Sequence, residues 1–316
     1  MSETKTEWYF IVNPRAGSGK AMSEWVPAER LLEERGIPFI TAMTDHRMHA
    51  IELAREAAAA GYRRIAAVGG DGSLHEVLGG ICSWCASTGV STEEFYLTVV
   101  PIGSGNDWIK SCRLPNDVGD VIKLISQEAF GWMDVVRGTS RDGKISYVAN
   151  GAGLGFDSHV CDRVNHQKEQ GMRGKMIYLN GLRYTVLHIK PIRISVLADG
   201  KKVFSGEAYS MAAGNGPWSG GGMRQVPLAS NDDGLLDYMI VPKLKLSQIL
   251  HEVPRLFSGT LNESELVLSG RCRSLQVAPL DEESADIIEY DGEVEGRLPL
   301  TLEITGERIH VLKGLS

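Results

Sequence analysis

A parallel α/β domain followed by an all-β domain is the fold class the sequence predicts. Three observations carry it. The chain has 316 residues, room for about two domains at roughly 150 residues each. Up to about residue 136, short apolar runs alternate with longer amphipathic stretches, the rhythm of βαβ units on a parallel sheet. After about Asp134, strand-like stretches follow one another with Gly, Asp and Pro turns between them, the pattern of an antiparallel sandwich.

The elements follow in order. Residues 8–12 (WYFIV) read as a buried strand and 21–34 as a helix. Residues 38–41 read as a short strand and 48–60 as a helix rich in Ala and Glu. A third strand covers 64–68 (RIAAV), and a helix opens over 73–84. A fourth strand covers 96–100 (YLTVV), and a helix over 115–126 starts at Pro115 or Asn116. In the second half, strands are expected over 145–149, 192–197, 207–212, 236–241, 275–279, 286–290, 300–304 and 309–312. One helix is expected there, over about 175–188. No repeat or low-complexity linker intervenes, so the two domains are expected to be joined by short segments, with a cleft between them.

Composition narrows the function. Hydrophobic residues make up 43% and charged residues 23%, which excludes a mostly disordered chain. A net charge of −7 and a pI near 5.7 argue against nucleic acid as a partner. Attraction to anionic lipid would have to come from a local basic patch. The five cysteines are an odd number and fit reduced thiols. Cys82 and Cys85 form a lone CxxC without the second ligand pair that a structural zinc needs. The N-terminus is polar, and no apolar run approaches about 18 residues, so a cytoplasmic protein without a membrane span is expected.

Glycine is abundant, 36 of 316 or about 11% against a usual 7%, and it clusters directly after expected strands. The first strand runs into Asn13-Pro14-Arg15-Ala16-Gly17-Ser18-Gly19-Lys20. The third runs into Gly69-Gly70-Asp71-Gly72-Ser73, and the fourth into Pro101-Ile102-Gly103-Ser104-Gly105-Asn106-Asp107. Parallel strands bring such loops to one end of one sheet, where ligands bind. Glycine allows positive φ and close backbone approach, and N–H groups at a helix start face an anion. Residues 69–73 therefore suit a nucleotide's phosphates. Asp71 and Asp107 add carboxylates at neighbouring strand tips, which points to Mg²⁺ and to phosphoryl transfer. Standard fingerprints are absent. GSGK at 17–20 has Pro14 where a Walker A loop needs its first Gly, and Ala21 follows Lys20. Gly103 and Gly105 have Trp108 where a dinucleotide fingerprint needs its third Gly.

These motifs, in this order, resemble the diacylglycerol kinase catalytic domain family, which includes bacterial soluble diacylglycerol kinases and sphingosine kinases. Gly-Gly-Asp-Gly-Ser-Leu-His-Glu is similar to its GGDGT…E signature, and residues 101–107 to its P-x-G-T-x-N-D loop. Asn13 to Gly17 matches its N-P-x-x-G, and Thr44 with His49-Ala50 its T…[HD]-A. Gly214-Asn215-Gly216, Gly220-Gly221-Gly222-Met223, the segment 231–237 and Asp291-Gly292-Glu293 follow its C-terminal order. Ser73 and Ser104 stand in place of Thr, Gly79-Gly80 in place of Asn-Gly, and Lys110 in place of an Arg, which removes a bidentate donor.

The resemblance implies a Rossmann-like, NAD-kinase-like first domain over 1–136 and a β-sandwich lipid domain over 137–298, with 299–316 returning to the first. It places the active site in the interdomain cleft. It implies ATP contacts from Asn13, Pro14, Arg15, Ala16, Gly17, Thr44, Gly70, Asp71, Gly72, Ser73, Leu74, His75, Glu76 and Ser104. Asp71 and Asp107 would organise a catalytic Mg²⁺, and Glu293 would take the proton from the lipid hydroxyl. A second, structural Mg²⁺ would sit at Asp233 and the backbone carbonyls of Ser230 and Leu235.

Taken alone, Glu293 and Asp233 also suit ordinary hairpin turns. Trp218 beside its glycines suits either a mobile lip or a plain loop. The basic stretch 163–175 and the apolar helix after it suit either a lipid guide or a solvated loop with a core helix. The expected function is an ATP- and Mg²⁺-dependent kinase turning diacylglycerol into phosphatidic acid, peripheral to the inner membrane face. A homodimer is compatible with this. The alternatives are a sphingoid base, a ceramide-like lipid or phosphatidylglycerol as acceptor, a NAD kinase, or a nucleotide-binding regulator.

Overall fold

The computed structural model describes residues 4–103, 106–169, 181, 184, 185 and 190–314. The chain divides into two compact units, Met1–Val135 with Gly306–Ser316, and Val136–Thr305.

In the first unit, β1 (Lys5–Val12), β2 (Phe39–Met43), β3 (Tyr62–Gly69) and β4 (Tyr96–Pro101) form a parallel sheet in the order β2-β1-β3-β4. β3 and β4 are buried without a break over their C-terminal halves. A parallel sheet is covered on both faces, so its strands are continuous apolar runs rather than alternating ones. The helices are α1 (Ala21–Glu34), α2 (His49–Ala59), α3 (Asp71–Thr88), α4 (Asp107–Ser111) and α5 (Val118–Ser126). α1 buries Ala21, Trp25, Ala28 and Leu32, one stripe of a 3.6-residue period, and Trp25 meets Phe10 of β1 at 5.0 Å. α2 buries only alanines. That allows α3 to come very close: a Cβ on Gly80 would lie 2.5 Å from the Ile51 carbonyl oxygen and 2.6 Å from the Ala54 Cβ. Gly80 thus answers to helix packing. α5 starts later than expected, because Asp117 caps it by accepting the Asp120 N–H.

Cys82 and Cys85 are buried on α3, and all five cysteines are free. Burial pushes the Cys85 thiol up to about 12, the opposite of a reactive thiolate. The chain's last strand, Leu300–Leu312, re-enters the first unit at Gly306, and its His310 and Val311 pair in parallel with Tyr96 and Leu97 of β4.

β5 (Phe130–Thr139) carries the chain from the first unit into the second and pairs with β6 (Ile145–Val148). The second unit continues with β7 (Gly151–Gly155), β8 (Ile192–Ala198), β9 (Lys201–Gly214) and β10 (Leu236–Pro242). Then come β11 (Leu268–Cys272), β12 (Ser274–Pro279), β13 (Ile287–Tyr290), β14 (Glu293–Arg297) and β15, the last strand. The order β14-β13-β7-β9-β8-β12-β15 is antiparallel throughout, and β10 joins β9 to β11. Along β8, Ile192, Ile194, Val196 and Ala198 alternate into the core, where Leu154, Met211, Ile240, Val277 and Leu300 join them. The expected α/β and all-β halves are both present.

Two helices differ from expectation. α6 (Phe156–Glu169) makes the stretch 163–175, read as a basic loop, helical through Glu169. The rest of that stretch, with Arg173 and Lys175, lies outside the described residues. So does most of the expected helix over 175–188. α7 (Leu246–Ser258) follows β10 and ends on Gly259, which takes the left-handed conformation at φ +75°. Among the described residues, no helix is long and apolar enough to cross a membrane.

Candidate active site

In the first unit, the three glycine loops converge at the C-terminal ends of β1, β3 and β4. After β1, Gly17, Ser18 and Gly19 all take positive φ, so successive N–H groups turn toward one side. Asn13 fixes the loop by accepting the Arg15 N–H at 3.0 Å and reaching toward the Ser73 hydroxyl at 3.5 Å. After β3, Gly70 leads straight into α3, whose first N–H groups have no intrahelical partner. The loops after β3 and β4 touch backbone to backbone: a Cβ on Gly103 would lie 2.7 Å from the Gly70 Cα. Ser104 and Gly105 lie outside the described residues.

Asp71 ties these two loops. Its carboxylate accepts the N–H of Asp107 at 2.9 Å and of Trp108 at 3.0 Å, and so holds the start of α4. Asp107 is 4% exposed and pairs with Lys110 at 2.7 Å. Lys110 is therefore the counter-charge of Asp107. Thr44 follows β2, and its N–H goes to the Val12 carbonyl. Glu76 anchors the start of α2: its two oxygens accept the N–H groups of Met48 and Ala50, both at 3.2 Å. Leu74 and His75 are buried in α3.

In the second unit, Asp291 and Gly292 are the two positive-φ residues of a tight hairpin between β13 and β14, with Tyr290 paired to Glu293. The Asp291 carboxylate accepts three N–H groups, from Ala149, Asn150 and Gly151, at 2.8–3.0 Å. Glu289 accepts the Gly292 N–H at 2.8 Å, and Asn165 donates to the Gly292 carbonyl at 3.1 Å. The backbone that presents Glu293 is therefore fixed from three sides. Trp218 is half-buried, with its carbonyl on the Asn150 amide and Arg224 over its ring at 5.1 Å, which fits a seated loop rather than a lip.

The same unit holds an apolar pocket of about 770 Å³, its mouth included. Ile249, Val253 and Leu256 of α7 and Met239 of β10 line one side. At the other lies Asp157 of α6, 6% exposed, hydrogen-bonded by the Ser210 hydroxyl and the Gln225 amide. Burial pushes its carboxyl up to about 6. Gly153 links this end to the hairpin, since a Cβ there would lie 2.7 Å from a Glu289 oxygen and 2.8 Å from the Asp157 Cβ. No sequence pattern announces the pocket, because its walls come from segments spread between residues 156 and 261.

The turn before β10 carries the residues expected at the structural metal, and their side chains are engaged within the chain. The Asp233 carboxylate is paired with Arg271 and accepts the Leu235 N–H, while the Ser230 hydroxyl goes to Asp232. Arg271 also reaches Asp237 at 3.1 Å, its cross-strand partner on β10. Arg271 thus balances the charge of Asp233 and Asp237. If the Ser230 and Leu235 carbonyls hold a divalent ion with Asp233, chelation should lower the unfolding temperature, and an unchanged temperature would remove that site. Arg271→Met, which orphans the buried Asp237, should cost about 1–3 kcal/mol. Calorimetry with and without chelator checks both.

Comparison with known proteins agrees with this architecture. Residues 7–137 match the diacylglycerol kinase catalytic domain model, and residues 150–313 match the YegS C-terminal NAD kinase beta sandwich-like domain. A protein of Xanthomonas euvesicatoria named "Probable lipid kinase YegS-like" is 30% identical, covering 76% of this chain and 74% of its own. One of the same name from Pseudomonas syringae is 27% identical over 80% of this chain and 82% of its own. A Bacillus anthracis crystal structure titled as a diacylglycerol kinase superposes with a TM-score of 0.72 at 20% identity, over 98% of this chain and 97% of its own. A kinase domain implies the use of ATP. With both halves matched, the chain belongs to the diacylglycerol kinase catalytic domain family and is a lipid kinase, a phosphotransferase.

Proposed function

We propose that this chain transfers the γ-phosphoryl group of ATP, carried with Mg²⁺, to the free hydroxyl of diacylglycerol, giving phosphatidic acid. The observation that carries the acceptor is the apolar pocket, whose polar end sits one glycine from the hairpin bearing Glu293. A soluble acceptor would not need such a wall of Met239, Ile249, Val253 and Leu256.

The residues then take these roles. N–H groups of residues 17–19 and 70–73 cradle the phosphates, Asn13, Pro14, Arg15 and Ala16 shape the first loop around them, and Thr44, Leu74, His75 and Ser104 complete the nucleotide's surroundings. Glu76 acts at one remove, by holding α2. Asp71 and Asp107 bring two carboxylates to neighbouring strand ends, and a carboxylate oxygen has more than one lone pair, which fits them to a divalent ion through its water shell. The ion supplies charge neutralisation on the phosphates. Glu293 takes the hydroxyl proton as the lipid oxygen attacks the γ-phosphorus, the bridging P–O bond breaks, and ADP leaves. Leu250 and Phe257, exposed on α7, suit it to meeting a lipid surface.

The test is Mg²⁺-dependent transfer of label from [γ-³²P]ATP to a lipid panel in mixed micelles, with NAD as a soluble acceptor. Label is expected in phosphatidic acid. Label in another lipid would change the acceptor, and label in NADP would overturn the class.

A further inference from the structure

The turn between β2 and α2 carries Asp45, His46 and His49, and none of the roles proposed above uses them. Asp45 follows Thr44 directly, and His49 opens α2. Between the histidines, Met48 takes the left-handed conformation at φ +66°, and Glu76 accepts its N–H and that of Ala50. Held so, the turn brings both rings to one carboxylate. Asp45 Oδ1 touches His46 Nδ1 and lies 2.8 Å from His49 Nδ1. The two rings stack with centroids 4.5 Å apart and planes 13° from parallel. One ligand atom from each of the three side chains lies within 4.8 Å of the other two. Among the described residues, no other three His, Cys, Asp or Glu side chains come together in this way.

Hydrogen bonds alone leave a conflict here. His49 Nδ1 accepts the Asp45 N–H at 3.2 Å, which needs a lone pair on that nitrogen. The Asp45 carboxylate, 2.8 Å from the same nitrogen, needs a proton on it. A metal ion shared by Nδ1 and Oδ1 removes the clash of two acceptors. His46 is arranged to match: Nδ1 faces Asp45, and its other nitrogen, Nε2, lies 3.9 Å from Glu52 Oε1. A carboxylate behind the far nitrogen is how metal-bound histidines are commonly oriented.

We infer that Asp45, His46 and His49 hold one transition-metal ion of the Zn²⁺ kind, through Asp45 Oδ1 and the two Nδ1 atoms, with water as the fourth ligand. Two imidazoles and a carboxylate suit Zn²⁺, Co²⁺ or Ni²⁺, whereas Mg²⁺ takes oxygen. The site is thus separate from the ion proposed at Asp71 and Asp107, and it does not depend on which lipid is phosphorylated. The side chains of His46 and Asp45 are 56% and 76% exposed, so the ion enters from solvent and the ligands are free to close on it.

The test measures binding without ATP or lipid, so it is independent of phosphoryl transfer. Zn²⁺ is titrated by calorimetry into the full chain, free of any affinity tag, at neutral pH with Mg²⁺ in excess. One ion per chain is expected to bind, and Mg²⁺ should not displace it. His46→Ala and His49→Ala should each weaken binding by at least about tenfold, since losing a ligand costs no less than losing a residue that orients one. His251→Ala, on α7, should leave the affinity unchanged. Co²⁺ in place of Zn²⁺ should give visible d–d bands that the double variant His46→Ala/His49→Ala lacks. Near-ultraviolet circular dichroism reports whether each variant keeps its fold, and His46→Ala, at an exposed side chain, serves alone if His49→Ala does not fold. Absence of a Zn²⁺-binding event in the natural chain overturns the inference, as does an affinity that survives in His46→Ala. Displacement by Mg²⁺ would mark a site of oxygen ligands, and a thiolate-to-Co²⁺ charge-transfer band would move the ion to a cysteine; either result also overturns it.

Discussion

Glu293→Gln is expected to lower kcat for lipid phosphorylation by about 10²–10⁴-fold, the usual worth of a positioned general base. Gln keeps the length and shape of the side chain and cannot take the proton. The surroundings make this a clean substitution. Asp291 and Gly292 hold the preceding turn in a left-handed conformation, and Asp291 spends its carboxylate on three backbone N–H groups across the sheet. The backbone at residue 293 is therefore fixed by its neighbours. Thermal unfolding should stay within about 0.5 kcal/mol of the natural chain, as for a change away from the core. ATP affinity, read by calorimetry, should not move. Single-turnover rates distinguish chemistry from product release. Turnover within severalfold of the natural enzyme would remove Glu293 from the role of base.

The parallel half was legible because its physics is local. Each buried strand is an apolar run, and each is closed by glycines that mark the next loop. Helix α1 was readable to the residue, since Ala21, Trp25, Ala28 and Leu32 state its period. The second half was less so. β7 is Gly-Ala-Gly-Leu-Gly, with no β-branched residue to announce it, and its pairing to β9 and β13 is decided by tertiary contact. α7 carries Pro254 inside it, a signal against a helix interior. Leu300–Leu312 reads as two strands because Gly306, at φ +83°, interrupts the pattern, yet it is one strand, paired with β12 before the glycine and with β4 after it.

The site divides the same way. The glycine loops and the Asp-Gly-Glu turn stand out as motifs, because close approach and positive φ permit few residue types. What holds them is invisible in one dimension. Asp291 meets residues 149–151, about 140 positions earlier, and Arg271 meets Asp233 from another strand. Glu76 sits inside a nucleotide-binding motif, yet spends its carboxylate on the start of α2. A motif states which residues are needed; it does not say which of them touch the ligand.

Asp71→Asn is the second large effect, and it separates holding from binding. Asp71 accepts two N–H groups, from Asp107 and Trp108, one on each carboxylate oxygen. Asn offers one acceptor and places an NH₂ against the other N–H, donor against donor. The start of α4 must then shift, and Asp107, buried beside Lys110, shifts with it. A displacement near 1 Å costs on the order of 10²-fold in rate, so kcat/KM should fall by at least about that much. The orphaned N–H should also lower stability by about 1–3 kcal/mol, a loss Glu293→Gln does not share. If Asp71 serves the divalent ion as well as the backbone, the Mg²⁺ concentration for half-maximal rate should rise in the variant, and we expect that it does. A rate loss with an unchanged Mg²⁺ requirement would confine Asp71 to holding Asp107 and Trp108, and would leave Asp107 as the carboxylate that meets the ion.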